Sequence, residues 1–288
     1  MSPSTAPPEV WTKVAYRKPP PSKEFLNTPI NLYSDAGNFR DERDVFVRDI
    51  RSEMDSFTIE KDGLAFLKDT VDIGDWTDEA KVREVLLRET PELIKRHLGA
   101  KRAHITVERI RHSDSSGVKS DTTPVYAIHT DATPQSGLEL LQNSLPKMDS
   151  APKALPPHAR VLLVNVWRPL KTITRDSLAF IVPRSIKAQE RHAQIFPRPA
   201  EKFKVFGKPQ GDYWLDSASY GNQHEWVFLK HQQRDEPVIF LQWDSKGVNE
   251  DKFESKMSVF HTCFEDSEYV NDPDRASMEL KCLVFFED

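Results

Sequence analysis

Residues 160–167 read RVLLVNVW and residues 177–182 read SLAFIV. Both are short apolar runs, the pattern of strands buried on both faces. Working outward from them, short runs or two-residue alternations recur as AHITVERI (103–110), PVYAIH (124–129), EWVFLK (225–230), PVIFLQW (237–243), SVFHT (258–262) and SMELKCLVFF (277–286). Eight such segments separated by turn-rich loops predict a sandwich or barrel, and the jelly roll is the commonest arrangement of that size.

Upstream of Gly99 the period changes. Val82, Val85, Leu86, Leu93, Ile94 and Leu98 recur at spacings of three and four, Thr77 can cap, and Asp78 and Glu79 suit a first turn. Pro91 fits a first helical position but not an interior one, so two helices are predicted, 78–89 and 91–98. The expected class is α+β, mainly β, with these N-terminal helices packed outside the strands. DVFVRDI (44–50), SFTIE (56–60) and GLAFL (63–67) read as peripheral strands or a hairpin. Residues 1–24, rich in Pro, Ser and Lys, read as an extended arm, leaving 25–288 as one domain with its barrel core at about 100–288. Residues 132–159, rich in Pro and Ser but carrying Leu138, Leu140, Leu141 and Leu145, are the expected lid.

The bulk numbers exclude several classes. A net charge of −5 over 288 residues lacks the basic footprint of a nucleic-acid binder. No run of eighteen apolar residues spans a membrane, and MSPSTAPPEVWTKV is not laid out as a secretory leader, so a soluble, cytoplasmic monomer or homodimer is expected. Cys263 and Cys282, without CxxC spacing, suggest neither a disulfide framework nor a thiolate cluster. Only ten glycines are present, and no glycine-rich loop follows a strand.

Three protein ligands on one face of an octahedron, two imidazoles and one carboxylate, leave a ferrous ion open positions for cosubstrate and oxygen. Along a sequence this is His-x-Asp on one extended segment, where i and i+2 share a face, with a distant His on another. With nine His, about one His-x-Asp arises by chance, and this chain has two. His112-Ser113-Asp114 falls in a polar, turn-like stretch, whereas His129-Thr130-Asp131 ends the apolar run PVYAI, the rigid position a ligand pair wants. For the distant ligand His261 ends SVFH, and His224, which opens HEWVFLK, is a rival. Arg275, fourteen residues past His261, is placed to grip the free carboxylate of 2-oxoglutarate.

Collinear motifs extend this reading: Gly99-Ala100-Lys101, His129 to Thr133, Asn165 to Pro169, Asp176-Ser177, His224-Glu225-Trp226, Phe240 to Ser245, His261 to Asp266, and Arg275 to Glu279. In these the chain resembles a fungal and bacterial hydroxylase/desaturase family that includes gibberellin desaturase and a cephalosporin-methoxylation protein. The resemblance covers residues from about Gly99 to the C-terminus. It implies a double-stranded β-helix, cupin-like, with Fe(II), 2-oxoglutarate as cosubstrate, O2, and oxidation of a small molecule. Two positions depart from the family pattern. Ala132 replaces a bulky aromatic, which reshapes the substrate pocket, and Lys281 replaces a basic Arg, making it an alternative cation for the cosubstrate.

Arg168 reads either as a second cation in the site or as one half of a structural ion pair at the barrel rim. Trp226 reads as core or substrate platform, and Tyr220 and His224 as substrate contacts or turn residues. The alternative function is a cupin-like oxygenase or a metal hydrolase that does not use 2-oxoglutarate.

Overall fold

The computed structural model describes residues 9–22, 39–112, 123–148, 159–196, 204–205, 208–209, 213–247 and 258–286. Its strands in chain order are β1 (Glu9–Arg17), β2 (Arg40–Asp49), β3 (Leu64–Phe66), β4 (Arg102–His112), β5 (Arg160–Pro169), β6 (Leu178–Ile181) and β7 (Arg191–Phe196). They continue with β8 (Lys204–Val205), β9 (Lys208–Pro209), β10 (Tyr213–Ala218), β11 (Trp226–Phe228), β12 (Val238–Asp244), β13 (His261–Cys263) and β14 (Ala276–Phe286). One five-stranded sheet runs β1-β2-β11-β6-β13 and the other β3-β12-β5-β14-β4, with the pairs β10-β7 and β8-β9 beside them.

Strand alternation explains the unbroken apolar runs. On β5, Leu162, Val164 and Val166 point outward into a cluster with Ile239 of β12 and Leu280 of β14, while Trp167 points inward against Phe180 and Phe240. Both faces of this sheet are therefore dry. The outer cluster is completed by Val82, Val85, Leu86, Leu93 and Ile94 from the helix Glu79–Leu98.

That helix is continuous through Pro91, where two helices were expected. An interior proline costs about 3 kcal/mol, but the apolar stripe on both sides of it is buried against one sheet, and packing outweighs the lost bond. Asp78, not Thr77, is the N-cap, accepting from the Ala80 and Lys81 amides, and Gly99 closes the helix with a left-handed φ of 67°. SFTIE is no strand: Thr58 caps a single helical turn, Ile59–Asp62. Residues 9–17, expected within a surface arm, are the sheet strand β1, which pairs with β2 along its length and buries Val14 and Tyr16. The pair β7 and β10 was not predicted at all.

In the expected lid, residues 149–158 lie outside the described part. Pro134–Ser144 is a helix held by a capping box between Thr133 and Ser136. Its Leu141 is buried among Ala132, Trp243, Leu283 and Phe285, so the leucine stripe covers β12 and β14 rather than the centre described below. Gly137 lies on the Trp243 indole, which a Cβ at that position would strike. Among the described residues no helix is long and apolar enough to cross a membrane.

Candidate metal centre

The segment around His129 is extended but joins no regular ladder. Isolated bridges hold it, with Ala127 beside Ala15 of β1 and His129 opposite both Ser217 of β10 and His261 of β13. The His129 amide donates to His261 O at 3.2 Å, and the His261 amide donates to His129 O at 3.0 Å. Residues paired in this way put their side chains on one face of the sheet, and the two imidazole centroids are 4.4 Å apart. Asp131, two residues along, returns to that face.

His129 Nε2 lies 4.0 Å from Asp131 Oδ1, and His261 Nε2 lies 3.9 Å from Asp131 Oδ2. One ligand atom from each residue falls within 4.8 Å of the others, and all three residues are buried. His129 Nδ1 is 2.8 Å from Ala127 O, and His261 Nδ1 is 3.2 Å from Val259 O. Those contacts require the proton on Nδ1, which leaves each Nε2 lone pair facing the carboxylate, as a metal ligand needs. Burial, helped by the neighbouring His261, holds the His129 imidazole down at about 3, and burial lowers His261 as well. For Asp131 burial works against the charge, but Lys281 and then His261 outweigh it and hold the carboxyl well below the usual range. Two neutral imidazoles and one carboxylate on one face fit a ferrous ion.

Asp131 is fixed from three sides. Asn165 donates its side-chain N–H to Oδ2. Lys281 Nζ lies 2.5 Å from Oδ1, and the Asp131 amide donates to Gln242 Oε1 at 2.6 Å. Glu279 sits 3.6 Å from Lys281 and 3.2 Å from Arg111 Nε. Burial opposes its charge, but Arg111 and Lys281 outweigh that and bring it down to about 2. Asn165, Gln242 and Glu279 escaped the sequence reading. Their signal is a polar residue inside an apolar strand run, since strand alternation turns each of them inward.

Arg275 lines the same small cavity as His129, His261 and Glu279. Its Nη1 donates to Asp176 O and Cys263 Sγ, both at 2.8 Å, and its guanidinium lies 5.5 Å from the Trp167 ring centre. Asp176 adopts a left-handed φ of 56° and accepts a hydrogen bond from Tyr126. Arg275 Nε is buried with no hydrogen-bond partner among the described residues.

Other sequence candidates lie elsewhere. Arg168 is on the opposite face of β5 from Trp167, paired with Asp69 and donating to Asp69 O and Arg234 O at 2.9 Å. Strand alternation alone keeps it from the centre. His224 has both ring nitrogens engaged, Nδ1 2.9 Å from the Tyr16 hydroxyl and Nε2 3.0 Å from Glu190, so no lone pair is left for a metal. Trp226 donates to the same hydroxyl at 2.9 Å from within the core. Tyr220 is exposed, edge-on to Tyr16, with the Arg43 guanidinium 4.9 Å from its ring centre. Ala132 is buried beneath the helix Pro134–Ser144. Lys281 sits on the carboxylate of Asp131, with Glu279 3.6 Å away.

Two facing sheets with two imidazoles and a carboxylate on one interior face define a jelly-roll scaffold for a single metal ion. A family profile described as "YDMC: Oxidoreductase/YMDC permease-like domain" matches residues 14–285, and the chain belongs to that family. The chain is 28% identical over 260 residues to "Hydroxylase/desaturase efuI" of Hormonema carpetanum, covering 85% of this chain and 84% of that protein. It is 26% identical over 259 residues to "Alpha-ketoglutarate-dependent dioxygenase phiK" of Fungal sp. (strain ATCC 74256), covering 85% of each. Its fold is similar to that of "iron and alpha-ketoglutarate-dependent endoperoxidase NvfI", with a TM-score of 0.73 at 22% identity over 97% of this chain and 99% of that one.

Proposed function

We propose that this chain is a non-haem iron, 2-oxoglutarate-dependent oxygenase that hydroxylates, desaturates or cyclises a small molecule in secondary metabolism. His129, Asp131 and His261 hold Fe(II), and Arg275 holds the far carboxylate of 2-oxoglutarate. The observation that carries this reading is the shared cavity, lined by two ligand imidazoles and by a buried guanidinium whose Nε has no partner among the described residues. When bound, iron and the 2-oxo acid activate O2, with loss of CO2 and formation of succinate.

The protein's own part is placement. Asn165, Gln242 and Lys281 keep Asp131 aimed at the imidazole nitrogens. Asp176 and Cys263 hold one edge of the Arg275 guanidinium, and its charge-assisted donors suit a carboxylate. Trp167, Phe240 and Leu178 supply an apolar part of the wall, which limits water beside that pairing, while Arg111 and Glu279 complete the lining. A metal oxygenase or hydrolase that does without 2-oxoglutarate has no need of such a guanidinium. A cytoplasmic location and a monomeric or homodimeric state complete the proposal.

The direct test is succinate release from 2-oxoglutarate. It is expected only when both iron and O2 are supplied. Iron-loaded protein that forms no succinate in air, alone or with candidate substrates, would overturn the proposal.

A further inference from the structure

The face that carries the ligands continues past His129. Ser217 stands opposite His129 on the side away from His261, and His192 of β7 stands opposite Ser217. Directly opposed residues share a face, so His261, His129, Ser217 and His192 form one row across the sheet. Gln194, two residues beyond His192, returns to that face. Arg17 reaches it from the end of β1, two residues past the Ala15–Ala127 bridge, as His129 is two past Ala127.

The side-chain contacts agree with this register. Arg17 Nη1 donates to Ser217 Oγ at 3.3 Å, and Ser217 Oγ lies 3.4 Å from Gln194 Oε1. All three residues are buried, at 5%, 4% and 2% exposure for Arg17, Ser217 and Gln194. These bonds are long. Gln194 Nε2 has no hydrogen-bond partner among the described residues, a costly state for a buried amide donor. Burial also lowers the Arg17 guanidinium to about 10, so its charge is poorly solvated.

We propose that Arg17, Ser217 and Gln194 are the substrate-orienting wall of this site and bind a carbonyl or carboxylate oxygen of the molecule to be oxidised. The inference rests on the iron and 2-oxoglutarate reading for what is then done to that molecule. The geometry separates the two acids the site would meet. Arg275 lies on the β13 side, against Cys263, and the wall lies on the β10 side of His129. Cosubstrate and substrate oxygens are thus held on opposite flanks of the ligand face, and the substrate's reactive carbon falls between them. Oxygen-bearing substrates are selected over hydrocarbons of the same shape, because only they give the buried Gln194 amide an acceptor.

The test uses three flat probes of similar size, benzoate, acetophenone and ethylbenzene, titrated into anaerobic protein loaded with Fe(II) and 2-oxoglutarate and followed by ligand-observed NMR. Wild type is expected to bind the two oxygenated probes at least about tenfold more tightly than ethylbenzene. Gln194→Leu and Ser217→Ala should each reduce that advantage to about threefold or less. Gln194→Glu, which keeps the shape but replaces the donor with an acceptor, should disfavour benzoate most. Affinity for 2-oxoglutarate should be unchanged in all three variants, which also certifies their folding. Equal binding of the three probes by wild type, or an advantage that survives all three substitutions, would overturn the wall. Repeating the series on metal-free protein separates this outcome from a failure of iron or 2-oxoglutarate to bind, which would overturn the functional proposal instead.

Discussion

His129 and His261 exchange both backbone hydrogen bonds across a single bridge, at 3.2 and 3.0 Å. The distance between the two imidazoles is therefore set by the sheet and not by flexible loops. His129→Ala, Asp131→Ala and His261→Ala should each abolish stoichiometric Fe(II) binding in anaerobic equilibrium dialysis. His224→Ala should bind iron normally, since its ring is committed to Tyr16 and Glu190. Iron retained in His261→Ala and lost in His224→Ala would reverse the ligand assignment.

Arg275 and Arg168 make a paired test of the two arginine readings. Removing a buried charge pair between Arg275 and the cosubstrate costs several kcal/mol, so Arg275→Ala should weaken 2-oxoglutarate binding at least about a hundredfold. Arg168→Ala should leave that affinity intact. Instead it removes one of two cations on Asp69, which keeps Arg96 at 2.9 Å, and the donor to Asp69 O and Arg234 O, and should lower unfolding stability by about 2 kcal/mol in denaturant titration.

Lys281 serves two buried carboxylates, Asp131 at 2.5 Å and Glu279 at 3.6 Å. Lys281→Met should destabilise the metal-free protein by about 3 kcal/mol. A bound cation restores the balance at Asp131, so the rise in melting temperature on adding Fe(II) should be larger in the variant than in wild type. Equal rises would mean that Lys281 and the metal do not share the Asp131 charge.

The parts of this fold that could be read from sequence are those in which one physical rule dominates. The runs on β5, β6 and β12 are apolar because both strand faces are largely dry, and His129-Thr130-Asp131 is visible because period two puts both ligands on one face. Where two rules compete, the sequence is ambiguous. Pro91 breaks isolated helices, yet here it lies within one packed on a sheet. β7 and β10 carry Gln194, Asp216 and Ser217, polar residues that interrupt the strand pattern while lining the interior. Lys281 and Arg275 are both basic residues of the closing segment, and only the three-dimensional pairing puts one on Asp131 and the other beside Cys263.

Away from the centre, Glu236 should dominate acid sensitivity. Its carboxylate is buried between Arg51 and Lys68 at 2.7 and 2.6 Å. Burial opposes the charge, but hydrogen bonds from Arg51 and Lys68 bring it down to about 2 from 4.5. A carboxyl depressed on folding contributes its full stabilisation above the unfolded value and loses it as pH falls toward the folded one. Glu236→Gln should therefore be less stable than wild type at neutral pH by about 2 kcal/mol, allowing for water around the exposed partners. The difference should shrink between about pH 4.5 and pH 2. A gap that stays constant over that window would remove Glu236 from the account of acid unfolding.

The most direct measurement of the central claim is an anaerobic titration of the metal-free protein with Fe(II) and then 2-oxoglutarate, followed in the visible region. One equivalent of iron should bind, and one equivalent of 2-oxoglutarate should then raise a weak visible charge-transfer band. That band should be absent with Asp131→Ala and should require far more 2-oxoglutarate with Arg275→Ala. Stoichiometric iron with no band at any 2-oxoglutarate concentration would contradict the claim that this cavity holds the two together.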